Sequence, residues 1–306
     1  MVEDPNTGYM VTGPSISPEN SFLYQGNNLC ASMMPTCDRV LAYEIFNACI
    51  QSAQILNIDK EFSDSLQQAI KKFPPIRLRA NGGVREWLED YDEAHPNHRH
   101  TSHLLALYPY EQITLDKTPE LAAGARKTIE DRLAAEGWED TEWSRANMIC
   151  FYARLKDTKQ AYQSVLTLES IFTRENLLSI SPAGIAGAPY DIFILDGNTA
   201  GAAGIAEMLV QGHEGYIEFL PCLPEQWNVG TYKGLCVKGG AEVSAAWNQS
   251  LINEATLKAT ADNTFTVKVP QGKNYTITLN NKRINPVINN GLITVSMKAK
   301  DILKFK

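Results

Sequence analysis

The densest group of chemically capable side chains is Glu86-Trp87-Leu88-Glu89-Asp90-Tyr91-Asp92-Glu93, followed by His98-Arg99-His100 and Ser102-His103. Five acids in eight residues repel one another, and Trp87 would strip water from whichever carboxyl points inward. Both effects raise a carboxyl pKa, which is what a general acid working near neutrality needs. The competing reading is a solvated acidic face on a helix. His98, His100 and His103 invite a metal site, yet His-x-His-x-x-His matches no familiar zinc pattern and would still need a carboxylate ligand. Structural or substrate-binding histidines are the preferred reading, and no metal is expected. Arg99 is equally suited to pairing with the acids and to donating to a sugar hydroxyl.

A second candidate is Asp196-Gly197-Asn198, between apolar Ile192–Leu195 and a segment rich in small residues. Asn198 fits an N-cap, accepting orphan amide protons. Asp196, beside the flexible Gly197, is freer to face a cavity. A third segment, Gly137 to Arg145, joins Trp138 and Trp143 to Glu139, Asp140 and Glu142. Aromatic faces with carboxylates suit carbohydrate, because pyranose C–H faces stack on rings while hydroxyls need acceptors. Tryptophans that simply cap a helical hairpin fit the same pattern. No glycine-rich phosphate loop, G-x-S-x-G elbow or Cys–His arrangement is present, so nucleotide and acyl-transfer chemistry lose ground and no cofactor is expected. Two carboxylates from separate loops remain, the minimum equipment of an inverting glycosidase.

The elements that must position these groups fall into two textures. Residues 1–213 read as helices: one capped by Asp38 with Leu41, Ile45, Ala48, Cys49 and Ala53 at helical spacing, then Lys60–Lys72, then Pro119–Ala135 closed by Gly137. Trp143–Leu155 and Thr158–Phe172, joined only by Lys156-Asp157, predict an antiparallel hairpin of helices. Thr199–Gln211, with Gly201, Ala202, Ala203 and Gly204, predicts a closely packed last helix. Residues 214–306 change to a period of two, as in Phe265, Val267 and Val269, with turn signals at Asn280-Asn281 and Asn289-Asn290-Gly291. The expected class is therefore α+β, helical hairpins followed by a small antiparallel β-sandwich. Six or seven helices are about half of what a closed toroid of hairpins needs, so apolar faces left open would seek a partner.

Composition narrows the partners. Of 306 residues 44% are hydrophobic and 21% charged, with a net charge of −7. That balance disfavours nucleic acid and anionic membrane and suits a neutral ligand. No apolar run is long enough to span a membrane. Met1-Val-Glu-Asp-Pro has neither the basic nor the apolar region of a secretory signal, so the compartment stays open. The six cysteines are scattered without a C-x-x-C pair and read as isolated buried thiols.

At these same segments the sequence resembles glycoside hydrolase family 95, an α-L-fucosidase family. The resemblance rests on Pro14–Asn20, Glu86-Trp87 through Asp92, His98-Arg99-His100-Thr101-Ser102-His103-Leu104 and Leu107-Tyr108-Pro109. It continues through Glu142-Trp143-Ser144, Ala153-Arg154-Leu155, Asp196-Gly197-Asn198 and Gly204–Leu209 to Leu220–Pro224, Trp227, Lys233-Gly234-Leu235 and Gly239-Gly240. It implies the second part of an (α/α)6 toroid followed by the β domain, with the family's earlier barrel half and its Asn-x-Asn segment lying outside this chain.

It also implies roles. Glu86 falls at the general acid and Asp196 at the aspartate that activates water. Trp87, His98, His100, His103, Trp143 and Asn198 would shape the sugar pocket. The implied partner is a fucosylated oligosaccharide with a terminal, α1,2-linked L-fucose; the missing N-terminal half or a second copy of the chain is the implied protein partner. The family's role in glycan harvesting implies a periplasmic or secreted protein. Two motifs depart from the family: Gly-Trp-Ser stands here as Glu142-Trp143-Ser144, and Asp-Gly-Asn-Phe-Gly as Asp196-Gly197-Asn198-Thr199-Ala200. These changes open an α-L-galactoside specificity. A non-catalytic carbohydrate-binding or scaffold module, or a degenerate product that does not fold stably, are the remaining readings.

Overall fold

The computed structural model describes all 306 residues, the side chain of Ala186 excepted. The chain forms two compact units, Met1–Asp140 and Thr141–Lys306. Among the described residues it holds six α-helices and only antiparallel sheets, an α+β protein.

In the first unit, α1 (Thr36–Leu56) and α2 (Lys60–Lys71) form a hairpin whose three-residue link uses Asn57 and Asp59 at positive φ. Asparagine and aspartate tolerate that left-handed conformation better than most residues. The start of α1 differs from the expected one. The helix begins at Thr36, with Pro35 in the cap position, and Asp38 sits in the first turn, where its carboxylate accepts a bond from Thr12 Oγ1 at 2.6 Å. The stripe of Leu41, Ile45 and Ala48 lies on the exposed side, and the helix buries Thr36, Cys37, Val40, Ile50 and Ala53 instead. Ile55, Leu56, Ile58 and Phe62 are also exposed, so this hairpin carries an open apolar face. A long irregular stretch then leads to a 3-10 helix (Ser102–Ala106) and to α3 (Pro119–Ala134), which opens on its proline as expected.

The second unit opens with α4 (Glu142–Arg154), which starts at a reciprocal cap: Ser144 N donates to Thr141 Oγ1 at 3.2 Å and Thr141 N to Ser144 Oγ at 2.9 Å. Such a box satisfies amide protons that a helix start leaves orphaned. α5 (Thr158–Ile171) follows after a short link with Asp157 as its cap. The final helix α6 (Leu195–Leu209) begins four residues before its expected start. It runs parallel to α4. Gly197 faces Glu142, Gly204 faces Ile149 and Cys150, and Glu207 pairs with Arg154 through two contacts of 2.7 and 3.0 Å.

The change from helix to strand falls inside this unit. Eight strands follow: β1 (Val229–Val237), β2 (Ala241–Asn248), β3 (Leu251–Ala259), β4 (Asn263–Lys268), β5 (Ile277–Leu279), β6 (Lys282–Arg283), β7 (Leu292–Met297) and β8 (Ile302–Phe305). One sheet has the order β1-β2-β3-β8-β5-β6, and β4 pairs with β7. The turn at Asn280-Asn281 has both residues at positive φ, the geometry that joins twisted strands in two residues. Val243, Leu257, Phe265, Val267, Val295, Leu303 and Phe305 fill a common core. Glu218 ties this region to the helices, accepting from Lys156 at 2.6 Å and Lys268 at 2.8 Å. Three of the six thiols depart from the buried expectation: Cys30 and Cys236 are exposed and Cys49 is half-buried.

A Cβ placed on Gly204 would stand 2.6 Å from Ile149 Cγ2 and 3.2 Å from the Cys150 amide nitrogen. Gly204→Ala should therefore destabilise the protein by about 1–3 kcal/mol through overpacking. Gly212→Ala, which meets no atom within 4 Å, should stay within roughly 0.5 kcal/mol of the parent. Urea denaturation midpoints compare the two.

Candidate active site

Glu86 sits in an irregular segment, not on a helix, which removes the solvated-helix reading of the acidic run. The start of α1 pins that segment: Thr36 N donates to Glu86 O at 2.9 Å and Thr36 Oγ1 to Arg85 O at 2.7 Å. α3 holds it from the other side, with Val84 N donating to Thr128 Oγ1 at 2.8 Å. Trp87 is buried and tilts against Phe22 at 5.2 Å between ring centroids.

The Glu86 side chain is itself buried. Oε1 accepts a bond from Ser17 Oγ at 2.8 Å and Oε2 one from Asn20 Nδ2 at 3.1 Å. His103 Nδ1 lies 3.6 Å from Oε2 and Arg132 Nη2 lies 3.8 Å from it. Burial pushes the carboxyl up to about 7, and the charge of Glu93 pushes in the same direction; Arg132, Ser17 and Asn20 pull it partly back. A carboxyl balanced there can donate a proton near neutrality.

The other acids of the run are handled differently. Arg79 contacts Asp90 and Asp92 at 3.3 Å each and Glu93 at 3.2 Å, so one guanidinium spreads over three carboxylates. Glu93 also meets Arg132 Nη2 at 2.6 Å and Asn20 Nδ2 at 3.1 Å.

The histidine loop is held neutral. Burial lowers His103 to about 3, with Arg132 and Arg79 adding to the effect. Burial and then His100 lower His98 to about 4. His98 Nδ1 accepts a bond from His100 N at 3.0 Å, which leaves any ring proton on Nε2. Burial lowers His100 as well, against the pull of Glu19. Arg99 resolves its two readings toward ion pairing: it contacts Glu139 at 2.9 Å and Glu19. Among the described residues no group of three or more His, Cys, Asp or Glu side chains is placed to hold a metal ion.

In the second unit, the structure moves Asp196 from a loop into the first turn of α6, where it is exposed. Asn198 is not the cap, because the helix starts before it. Its Oδ1 accepts from Ser179 N at 2.9 Å and Ser179 Oγ at 3.0 Å, and its Nδ2 donates to Leu177 O at 2.7 Å. That side chain fastens the preceding loop to α6. Glu142, at the first turn of α4, is buried with no well-angled hydrogen bond to either oxygen. Burial raises its pKa, and the charge of Asp196 adds to this; the backbone amides of Glu142 and Trp143 and the Ser181 hydroxyl pull it down. Trp143 is half-buried beside it.

Four partners of Glu86 escaped the sequence reading: Ser17, Asn20, Glu93 as a neighbour in space, and Arg132. One signal existed for Arg132. On α3 it continues the buried stripe of Ala122, Ala125 and Ile129 at helical spacing, and a cation in a core stripe demands a buried anion.

Residues 1–209 match the glycosyl hydrolase family 95 catalytic domain and residues 211–304 match the C-terminal domain of glycoside hydrolase family 95. The chain belongs to that family. Alpha-L-fucosidase 2 of Arabidopsis thaliana is 32% identical over 252 residues, covering 81% of this chain and 29% of that protein. A probable alpha-fucosidase A of Aspergillus oryzae is 24% identical over 288 residues, covering 86% of the chain and 38% of that protein. The chain thus spans 29% and 38% of these two relatives. Among solved structures, a family-127 β-arabinofuranosidase aligns over 89% of this chain and 43% of its own at 12% identity, with a TM-score of 0.26.

The raised pKa of Glu86 fixes a sign for stability. The folded state holds the proton up to about pH 7, whereas an unfolded glutamic acid releases it near 4.5. Glu86's contribution is fully present below pH 4.5 and declines as pH rises to 7, by on the order of 3 kcal/mol at 1.36 kcal/mol per pH unit. Glu86→Gln should flatten that part of the stability curve. Chemical denaturation at pH 4.5 and pH 7.5 measures it; equal slopes in the two proteins would contradict the assignment.

Proposed function

We propose that this chain acts as an inverting α-L-fucosidase on terminal, α1,2-linked L-fucose of glycans. Glu86 protonates the glycosidic oxygen as the C1–O bond breaks. Asp196 takes a proton from the water that attacks C1 from the opposite side. The observation that carries the reading is the Glu86 carboxyl: buried, held by Ser17 and Asn20, and balanced near neutrality. Membership of family 95 and relatives named as fucosidases support the sugar.

In this reading residues 1–213 form part of an (α/α)6 catalytic toroid and residues 214–306 a β-sandwich domain. His98, His100 and Trp143 meet the sugar. Trp87 and His103, both enclosed, act through Glu86 by excluding water, and Asn198 acts by holding the start of α6 in place. The open apolar face of α1 and α2 supports a protein partner there, either a further part of the same enzyme or a second copy.

Incubated with 2′-fucosyllactose, the chain should release L-fucose, the first-formed anomer being β by proton NMR. Glu86→Gln should reduce kcat on this substrate by about 10²-fold or more, the usual weight of a general acid. Undiminished turnover in Glu86→Gln would end this reading. Faster cleavage of the corresponding α-L-galactoside would move the substrate and leave the mechanism standing.

A further inference from the structure

The environment of Glu86 contains a charge count that the proposed reaction does not by itself require. Seen from Glu86, the N-terminal segment presents neutral Ser17 and Asn20, and α1 presents the Cys37 thiol, which burial pushes up to about 11. The 3-10 helix presents His103, held neutral by its own burial. The remaining charged groups at this carboxyl are Glu93 and, from α3, Arg132, with Arg79 behind Glu93. Arg132 is buried, and its Nη1 is fixed on the carbonyls of His95 and Pro96 at 3.1 Å each. Its Nη2 stands between two carboxyls, 2.6 Å from Glu93 and 3.8 Å from Glu86, without a well-angled hydrogen bond to either. Asn20 spans the same two acids, its Nδ2 at 3.1 Å from each, because its Oδ1 is committed to Ser21 N at 2.9 Å.

We propose that Glu93 is a positioning residue that keeps Glu86 an acid by claiming the Arg132 guanidinium for itself. Buried charge balance is the reason. With Glu93 ionised and Glu86 protonated, one buried cation faces one buried anion. Ionising Glu86 would leave two carboxylates on that cation, an uncompensated charge away from water. Remove the Glu93 charge and the balance inverts: Arg132 is then neutralised only if Glu86 gives up its proton. Remove Arg132 and the opposite follows, since Glu86 would ionise beside Glu93 with no cation at its side. Glu93 can hold this place because Arg79 anchors its other oxygen at 3.2 Å.

The proposal rests on the reading of Glu86 as general acid, and its test separates the two. The full chain carrying 13C-carboxyl glutamate is titrated by NMR, with the Glu86 resonance assigned by its loss in Glu86→Gln. Glu93→Gln should lower the Glu86 midpoint by about one pH unit or more, and Arg132→Gln should raise it by a similar amount, the scale of a single close charge. Glu93→Asp, which keeps the anion, should return the midpoint toward the parent value. A role in folding alone would lower thermal stability in both glutamine variants without opposite titration shifts. If Arg132→Gln does not fold, the contrast between Glu93→Gln and Glu93→Asp decides. A Glu86 midpoint that stays put in Glu93→Gln, or moves upward, overturns the proposal.

The alkaline limb of kcat/KM on 2′-fucosyllactose should move with the midpoint. Opposite NMR shifts in a chain that hydrolyses no fucoside would uphold the Glu93 role and defeat the fucosidase reading. Hydrolysis with an unmoved limb would do the reverse.

Discussion

The first unit is arranged around a constraint that comes before any chemistry: a carboxyl removed from water needs partners for each oxygen and a settled charge. Glu86 obtains them from four parts of the chain, Ser17 and Asn20, Glu93, His103 and Arg132. Arg132 comes from α3 and His103 from the 3-10 helix, while the segments bearing Ser17, Asn20 and Glu93 have little regular structure of their own. Irregular chain over residues 73–101 is held by the first turn of α1 on one side and by Thr128 of α3 on the other. A loop fixed at both flanks can hold a reactive side chain in one geometry, and the helices supply that rigidity.

The same physics explains how the acidic run divides. Five like charges in eight residues suggest diffuse repulsion along the chain, yet the fold sorts them into two kinds of environment. Asp90 and Asp92 remain at the water edge and share Arg79, where exposed ion pairs are worth little individually but cancel the local field. Glu93 stands at the boundary, touching both Arg79 and Arg132. Glu86 is enclosed, 3.8 Å from the Arg132 guanidinium that Glu93 approaches to 2.6 Å. One arginine thus pairs with three of the five acids without touching Glu86.

Much of this was readable from residue types. Pro119 marked the start of α3, Lys156-Asp157 marked the turn between α4 and α5, and the Asn280-Asn281 hairpin followed from residues that tolerate positive φ. Those signals are local, and local propensity decides them. The starts of α1 and α6 differ from those the sequence predicts for a shared reason. Asp38 and Asn198 are good capping residues, but each is used by a distant partner, Thr12 in one case and Ser179 with Leu177 in the other. Tertiary bonds outbid the local cap. The exposed Leu41–Ile45 stripe misled similarly, since helical spacing shows that a face is apolar but not what covers it. The partners of Glu86 were hidden because 66 residues separate it from Asn20 and the bonds that join them are long-range. Only Arg132, a cation within a core stripe, announced that a buried anion must exist somewhere.

The second unit applies the opposite rule to its carboxyls. Asp196 stands exposed in the first turn of α6, where outward-pointing amide protons face negative charge. Glu142 stands at the matching turn of the parallel α4 but is buried, with neither oxygen well bonded. Two helix starts thus converge on two acids, one solvated and one not, and burial together with the Asp196 charge drives Glu142 toward its neutral form. The close approach that creates this pair depends on Gly197, where a Cβ would stand 2.9 Å from that of Glu142. The missing side chain at 197 lets the α6 backbone reach the start of α4. The glycine of the Asp196-Gly197-Asn198 motif therefore serves close helix packing more than loop flexibility. The glycine that in the sequence frees Asp196 to face a cavity packs the start of α6 against Ser179 and Glu142.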